Sequence, residues 1–458
     1  MIENDAFKLL LINLFHLNPD DIANILCTTF NKMMVLVVTL TDKHQACPYC
    51  GFTAPKIKEY VTKEITHSAL TTQKCIIKYR ARRYKCSCCG KTYYEFNPFV
   101  FKSQKISILT VHNILKDLKD FNETFTSVAR RYHVSPTSVS TIFDNHVDIG
   151  RNPLPEIINF DEVYAFKSEK SKYVCVILDF KKQIPVDILP NRKKEYLLNY
   201  FQKIPLEERK KVKYACSDMY EVYRDVVHKV FPESKHLLDY FHLSQDFHRK
   251  MNEVRIKVMK GYKDNKASDE YYLLKKFNWL LFKNPEDEDK YGRLFDVERE
   301  RKYNSHFKSY MNYYDLRKKL LEINNDLTIC YSLKLELVDF YSKSTVDNAK
   351  ENLENLIRSC IDTNIDEMIA FSNNLINWKQ EIINSFTIVG TEYKVEADKG
   401  QVVVCNKKVN NAIIENRNKI IKCIKNNANG YTNWSRFRNR VMYVLDPNTT
   451  FSLEPREK

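Results

Sequence analysis

The sequence lacks any hydrophobic run long enough to cross a membrane. No apolar stretch approaches the roughly 20 residues that a membrane-spanning helix needs, and the start, MIENDAFKLLLINLF, carries acids where a signal peptide has basic residues. The cysteines do not form an even set: there are 13, some lying singly in apolar runs such as YVCVIL and others in CxxC pairs. That pattern is typical of a reducing compartment. We therefore expect a cytoplasmic protein without a membrane segment.

Glycine and proline are nearly absent between residues 243 and 395. This part of the chain is charged and has helical periodicity, as in FHRKMNEVRIKVMKGYK. Such a sequence predicts a long, all-helical segment. The chain also has no internal repeat or low-complexity tract, so nothing indicates a repeat architecture.

Positive charge is in excess. The chain has 73 Lys and Arg against 58 Asp and Glu, a formal net charge of +15. With 458 residues, 43% of them hydrophobic and 12% aromatic, it can fill the cores of two or three domains. A basic, globular chain favours a polyanionic partner, and we favour nucleic acid over an anionic membrane or a basic surface without a partner.

Two CxxC pairs lie close together near the start of the chain, CPYC at 47–50 and CSCC at 86–89. A two-residue gap lets paired thiolates occupy adjacent corners of a tetrahedron. We predict a zinc ribbon with one structural Zn²⁺ held by Cys47, Cys50, Cys86 and Cys89. Cys88 could replace one of its neighbours as a ligand, and buried free cysteines are the less favoured alternative.

A basic and aromatic strand, KYRARRYK, lies between the two pairs, and residues 41–95 carry a net charge of roughly +7. We predict that Arg80, Arg82 and Arg83 contact DNA phosphates. A solvated basic strand face without a partner is the alternative interpretation.

Residues 125–147 predict two short helices packed across a turn. Ser135 suits an N-cap and Pro136 a first helical position, so the second helix has a clear start. Thr137, Ser138 and Thr141 would lie on its outer side. This is the layout of a helix-turn-helix whose second helix reads DNA bases, although helix pairs of this kind also occur without DNA.

From residue 157 the pattern predicts strands and helices in the order βββαβαβ. The order resembles the ribonuclease H-like fold. The words CPYCG, RRYKCSCCGKTYYE, FDEV, SDMYEVYRDVV, LDYFHL, NNAIIENRNKIIK and GYTNWSRFRNRVMY resemble the ISL-three family of bacterial insertion-sequence transposases over nearly the whole chain. We expect an α/β, ribonuclease H-like catalytic domain interrupted by an all-helical insertion and preceded by a zinc ribbon and a helix-turn-helix.

The resemblance implies particular site residues. Asp161, Asp218 and Glu415 match the family's DDE triad, and Asp239 and His242 match its DxxH element. It implies Mg²⁺ or Mn²⁺ as cofactor, double-stranded DNA of the element ends and of the target as partner, and a homo-oligomer when assembled on that DNA. Asn416 departs from the pattern, since a glycine often follows the glutamate.

The expected organisation follows from these motifs. The segments are an N-terminal lead (1–40), the zinc ribbon (41–98), the helix-turn-helix (99–148), the first part of the catalytic core (149–242), the helical insertion (243–395), the final part of the core with the catalytic glutamate (396–446) and a tail (447–458).

Physical chemistry supports the triad independently. Ionised side chains are rarely buried without a partner, yet Asp161 lies in the apolar strand IINFDEVYAF. Asp218 ends a strand, and Glu415 faces away from an isoleucine stripe of Ile413, Ile420 and Ile424 on its predicted helix. Carboxylates suit Mg²⁺, and two such ions can drive phosphodiester cleavage and strand transfer.

Neighbouring residues receive secondary assignments. Glu162 would point to the opposite face of the strand, Asp179 is a rival ligand, and Asp239 with His242 could equally form a helix-entry hydrogen bond. Lys419 and Lys422 share the helix face of Glu415 and would hold adjacent phosphates.

Two other functions fit the same residues. One is a domesticated or inactive transposase acting as a sequence-specific DNA-binding protein, and the other is a nuclease of the same fold that never joins strands. Intact acids at all three positions argue against the DNA-binding protein, whereas the nuclease differs only in the fate of the 3′-hydroxyl. We expect a transposase that is cytoplasmic and associated with the nucleoid.

Overall fold

A computed structural model describes residues 2–43, 45–53, 55–70, 72–101, 104–167, 171–395 and 402–456. Among these residues no helix combines the length and the apolar character needed to span a membrane. The helices are α1 (Ile2–Leu14), α2 (Ile108–Asp117), α3 (Phe125–Arg131), α4 (Pro136–His146), α5 (Lys194–Gln202), α6 (Leu206–Arg209), α7 (Glu221–Val230), α8 (Tyr240–Lys260), α9 (Asp269–Lys276), α10 (Tyr313–Glu322), α11 (Asn325–Lys343), α12 (Ala349–Asp362), α13 (Asp366–Asn377), α14 (Lys379–Asn384), α15 (Ala412–Asn427) and α16 (Trp434–Leu445). The strands are β1 (Ile22–Phe30), β2 (Met33–Leu40), β3 (Lys56–Thr66), β4 (Cys75–Lys85), β5 (Thr92–Tyr94), β6 (Ile157–Val163), β7 (Val174–Asp179), β8 (Pro185–Leu189), β9 (Tyr214–Ser217), β10 (Lys235–Leu238), β11 (Glu288–Asp289), β12 (Gly292–Arg293), β13 (Lys302–Asn304), β14 (Ser309–Met311), β15 (Ile388–Val395) and β16 (Val402–Lys408).

The first five strands form one sheet in the order β1-β2-β4-β3, with β5 paired to β4. The parallel β2–β4 pair joins the predicted lead to the cysteine-bearing segment. The expected boundary between residues 40 and 41 is therefore corrected, since both sides share one sheet. Helix α1 packs on this sheet through Leu11 and Ile12, together with Phe15, which directly follows the helix.

Helices α2, α3 and α4 pack around a common apolar core that includes Tyr443 of α16. As predicted, Ser135 caps α4, because its hydroxyl accepts the N–H of Ser138 at 3.0 Å. The buried Arg440 of α16 donates to the main-chain oxygens of Asp120 and Glu123 at 2.8 and 2.7 Å. The three-helix unit is thus attached to α16 rather than tethered by a linker alone.

The second five-stranded sheet has the order β10-β9-β6-β7-β8. The meander β6–β7–β8 is antiparallel, whereas β9 and β10 are parallel to β6. This matches the predicted βββαβαβ order, with α5 and α6 before β9 and α7 before β10. The fold is therefore a mixed α/β structure.

Alternation along β6 decides which side chains reach the site. Ile158 and Phe160 face a core shared with α5 and α7, while Val163 faces a second core shared with α15 and α16. Asp161 lies on the Val163 side because side chains alternate across a strand. The helix carrying Glu415 packs on that same face.

Residues 240–386 form a separate, mostly helical core. The prediction of an all-helical insertion is wrong in one respect, because β11–β12 and β13–β14 form two short antiparallel hairpins. The predicted boundary at 395/396 also falls inside an antiparallel pair, β15–β16. Residues 396–401 of that segment lie outside the described residues.

Candidate active site and metal centres

The four predicted cysteines converge. The Sγ atoms of Cys47 and Cys89 lie 3.7 Å apart, those of Cys50 and Cys86 lie 3.5 Å apart, and all four lie within 4.8 Å of one another. A tetrahedral ion with Zn–S bonds of about 2.3 Å separates its thiolates by about 3.8 Å. The donor set and its spacing therefore fit a structural Zn²⁺.

Tight turns build each half of this cluster. Gly51 and Gly90 adopt φ values of +74° and +72°, which favour glycine, and each returns an N–H to the carbonyl of the first cysteine of its pair. The N–H groups of Cys89 and Cys88 point at the Sγ of Cys86 and lower its pKa to about 7. Cys88 itself is exposed and offers no ligand atom to the cluster.

The predicted catalytic acids gather at one end of the second sheet. Asp161 is buried on β6, Asp218 directly follows β9, and Asp239 directly follows β10. Glu415 lies in the first turn of α15, which packs over β6. Helix α8 begins after Asp239 and brings His242 to the same place.

Each carboxylate oxygen of Asp161 accepts one hydrogen bond. Its Oδ1 accepts the N–H of Glu162 at 2.7 Å, and its Oδ2 accepts the side-chain amide of Asn418 at 2.7 Å. These two donors fix the carboxylate plane. Charge-assisted hydrogen bonds of this kind hold a carboxylate in one orientation.

Other polar atoms of the cluster are buried without a partner. Asp218 Oδ1, Asp239 Oδ2 and His242 Nε2 have no hydrogen-bond partner within the described part of the chain. Asp239, His242 and Glu415 bring ligand atoms within 4.8 Å of one another. Unsatisfied buried acceptors are costly, and hard oxygen donors suit Mg²⁺ or Mn²⁺. The residues present therefore fit a divalent cation.

Burial and mutual repulsion perturb these acids. Burial, followed by the charge of Asp218, raises the pKa of Asp161 to about 7. Burial also raises the pKa of Asp218 and of Asp239, and nearby His242 opposes both shifts. Carboxylates that resist ionisation without a counter-charge are typical of cation sites.

The neighbouring acids have structural partners. Glu162 is paired with Arg192, whose guanidinium lies over the rings of Tyr173 and Tyr220. Asp179 accepts the N–H groups of Lys181 and Lys182, both at 2.9 Å, and so caps the β7–β8 turn. Both acids thus have partners that account for them without a metal ion.

Three asparagines of the site escaped the sequence reasoning. Asn411 donates its N–H to Asp239 Oδ1 at 3.0 Å, Asn159 donates to the Asn411 side chain at 2.6 Å, and Asn418 orients Asp161. The fully buried stripe of α15 is Ile414, Ile421 and Ile424, not Ile413, Ile420 and Ile424. Asn418 lies at helical spacing between Ile414 and Ile421. A polar residue at that position in the apolar stripe is the sequence feature that could have identified it.

The predicted DNA-contacting arginines differ in their surroundings. Arg80 is exposed, with its guanidinium 4.9 Å from the Tyr60 ring. Arg83 pairs with Glu59 at 2.6 Å near the surface. Arg82 is held inside, since it bonds to Glu95 at 2.7 Å and to the Leu40 carbonyl at 3.1 Å. Its guanidinium is thus less available to a phosphate than those of Arg80 and Arg83, and its predicted DNA contact stays a prediction.

The remaining predicted contacts face outward. Thr137 and Thr141 of α4 are exposed and Ser138 is half-buried, while Lys419 and Lys422 of α15 are exposed. All of them are positioned to meet a partner from solvent, and their roles stay predictions.

The protein has a mixed α/β fold. At one end of its second sheet, buried acids and His242 of α8 form a group that could hold a cation. The chain belongs to the ISL-three family of DDE transposases, because that family's model, described as "Transposase", matches residues 158–402, more than half of the 458 residues. The matched range includes Asp161, Asp218, Asp239 and His242 and ends before Glu415. Family membership implies DNA as the partner.

A curated relative supports the same assignment over a longer range. The transposase for insertion sequence element IS1001 of Bordetella parapertussis is 19% identical over 410 residues, which cover 89% of this chain and 90% of the relative. The similarity thus extends beyond the matched family region into the N-terminal or C-terminal segments.

Proposed function

We propose that this transposase cuts DNA at the terminal inverted repeats of its insertion sequence and joins the freed strands to a target. The observation that carries the proposal is that Asp218 and Glu415 lie close enough to the buried Asp161 to help raise its pKa, while Asp218 Oδ1 has no hydrogen-bond partner in the described residues. The family resemblance supplies the substrate.

The topology of the second sheet supports a ribonuclease H-like catalytic domain, which is part of this proposal. The sheet order β10-β9-β6-β7-β8, with three antiparallel strands followed by two parallel ones, is the order that such a domain requires. The α8–α14 segment would be its insertion, and α15 would return the glutamate to β6.

The residues would divide the chemical work. Asp161, Asp218 and Glu415 would hold Mg²⁺ or Mn²⁺. The ion would lower the pKa of the attacking water or of the 3′-hydroxyl of the DNA, and it would stabilise the leaving oxygen. Asn418 keeps Asp161 oriented, and Asp239 and His242 complete the wall of the site. Lys419 and Lys422 would hold flanking phosphates on the exposed face of α15.

The N-terminal parts would select the DNA. A Zn²⁺ at the four cysteines would stiffen the ribbon, Arg80 and Arg83 would contact phosphates, and the outer residues of α4, including Thr137, Ser138 and Thr141, would read base edges as in a helix-turn-helix. Because two element ends must be brought together, we propose that the protein assembles as a homo-oligomer on DNA. We also propose that it is associated with the nucleoid.

The test uses purified protein and DNA that carries the flanking ends of its own element. Wild type should nick and join strands only with Mg²⁺ or Mn²⁺, while Asp161→Asn, Asp218→Asn and Glu415→Gln each lose at least about a thousandfold in rate, about 4 kcal/mol, and still bind the ends. The losses should not add, because the acids act as a unit.

Asp179→Asn is the matched control, since it replaces a buried aspartate that only caps a turn. Cutting without joining would identify a nuclease, and binding without cutting would identify a regulator. A Glu415→Gln variant with normal cleavage would show that the triad is misassigned.

A further inference from the structure

The acidic site contains His242, and the described residues offer its Nε2 atom no hydrogen-bond partner. His242 Nε2 and the deeply buried Asp239 Oδ2 both lack a hydrogen-bond partner in the described residues, and they lie 3.9 Å apart. The Asp239 side chain is only 3% exposed. A carboxylate oxygen and an imidazole nitrogen therefore face each other across a gap.

The distance alone does not define a cation position, because His306 Nε2 reaches Asp269 Oδ1 at 2.8 Å whereas His236 Nδ1 and Glu381 Oε1 also lie 3.9 Å apart. The pair at His242 differs in having a third side chain, Glu415, whose ligand atom lies within 4.8 Å of both. The 3.9 Å separation at His242 is too long for a hydrogen bond. Neither atom is bonded to the other, so both remain available to a cation.

The backbone holds three ligands around this gap. Asp239 ends β10, and His242 follows three residues later in the first turn of α8, on the same side of that helix. Asn411 fixes both neighbours: its N–H donates to Asp239 Oδ1 at 3.0 Å, and its carbonyl accepts the N–H of Glu415 at 3.0 Å. Asp239 Oδ2 keeps no partner in the described residues, and a carboxylate oxygen of Glu415 lies within 4.8 Å of it.

We propose that Asp239, His242 and Glu415 form one cation position with a nitrogen ligand, beside the carboxylates of Asp161 and Asp218, and that it prefers Mn²⁺ or a similar transition-metal ion to Mg²⁺. This inference rests on the proposed function, whose ligand set it extends. The chemical reason is that Mg²⁺ takes oxygen ligands, whereas imidazole favours later divalent metals.

The experiment measures ligation directly. Untagged, full-length protein grown with ¹⁴N- or ¹⁵N-labelled histidine is loaded with Mn²⁺ and studied by pulsed electron paramagnetic resonance. We expect a nitrogen coupling that changes with the histidine isotope and disappears in His242→Asn. Mn²⁺ affinity should fall about tenfold or more in that variant, while Mg²⁺ affinity changes much less.

His248→Asn is the matched control, because His248 lies on the same helix with its ring against Phe282 and outside the cluster. It should keep both the coupling and the Mn²⁺ affinity. The isotope comparison uses wild-type protein, so it shows whether any histidine binds the ion even if a variant fails to fold, and His242→Asn against His248→Asn assigns the residue.

The outcomes separate this inference from the function. Bound Mn²⁺ without histidine nitrogen coupling in a protein that still cuts DNA would overturn the cation position and leave the proposed function standing. A histidine coupling in a protein that cuts no DNA with any cation would support the cation position and overturn the function.

Discussion

The four-cysteine cluster and the acidic cluster are built in opposite ways. Each half of the cysteine site is a local turn, Cys47–Cys50 or Cys86–Cys89, closed by its own glycine. The acidic site takes its members from β6, β9, β10, α8 and α15, so Asp161 and Glu415 meet only when the whole domain folds. A local site can be recognised from spacing, whereas a distributed site depends on topology.

Loss of a cysteine ligand should have the largest effect. We expect Cys86→Ser to release the metal and unfold the first sheet, because a structural Zn²⁺ contributes on the order of 10 kcal/mol to folding. The second domain should stay folded, since its core is separate. Metal analysis and limited proteolysis measure both results.

Cys88→Ser is the control for this change, because Cys88 is exposed and outside the cluster. It should retain zinc and resist proteolysis like wild type. Equal zinc loss in the two variants would show that Cys88 is a ligand.

The distributed site should instead cost stability when it is empty. Since burial raises the pKa of Asp161 to about 7, the folded protein holds that proton more tightly than the unfolded chain, whose ordinary value is about 3.9. Stability without cations should therefore fall by a few kcal/mol as pH rises from about 4 to about 7. Thermal melts across that range measure it.

Asp161→Asn should flatten this pH dependence, and saturating Mn²⁺ should oppose it in wild type. Asp179→Asn, which removes a buried acid outside the cluster, should leave the slope in place. An unchanged slope in Asp161→Asn would mean that other groups cause the loss.

Removing the support of an acid should have a smaller effect than removing the acid. Asn418→Ala deletes the 2.7 Å amide contact to Asp161 Oδ2, so we expect cleavage to fall about 10- to 100-fold, as for other partners that orient metal ligands. DNA binding should be unchanged. Single-turnover cleavage and end-binding assays measure the two.

Asn416→Ala is its control, because Asn416 is exposed on the same helix. It should cut DNA at the wild-type rate. If both variants were equally impaired, the defect would lie in α15 as a whole and not in the orientation of Asp161.

The sequence allowed the element order of the second sheet, the cap at Ser135 and the cysteine spacing to be predicted, because each depends on near neighbours. It did not reveal the hairpins β11–β12 and β13–β14, since strands of two or three residues carry no usable period. Nor did it reveal the shared sheet of β2 and β4, whose pairing joins residues about 40 positions apart.

The roles of Asn418 and Arg82 depend on contacts between distant parts of the chain. Asn418 reaches Asp161 because α15 packs on β6, and Arg82 reaches Glu95 because β5 pairs with β4. The triad, in contrast, was identified by resemblance to a family. The contacts of Asn418 and Arg82 thus depend on long-range pairing, which residue spacing in the sequence does not show.

The smallest predicted effect tests whether the local region does more than fold around its metal. Arg80 is exposed beside Tyr60, whereas Arg82 is bound to Glu95, with side chains 14% and 6% exposed. Arg80→Gln should weaken binding to all DNA sequences and reduce the salt slope by about 1, with no change in melting temperature. Arg82→Gln should instead lower stability by about 2 kcal/mol, because the buried Glu95 carboxylate keeps the main-chain N–H of residue 82 but loses its guanidinium partner. Binding isotherms at several salt concentrations, with melting curves, measure both. If Arg80→Gln left the salt slope unchanged, the exposed side of β4 would be a solvated face and not a DNA contact.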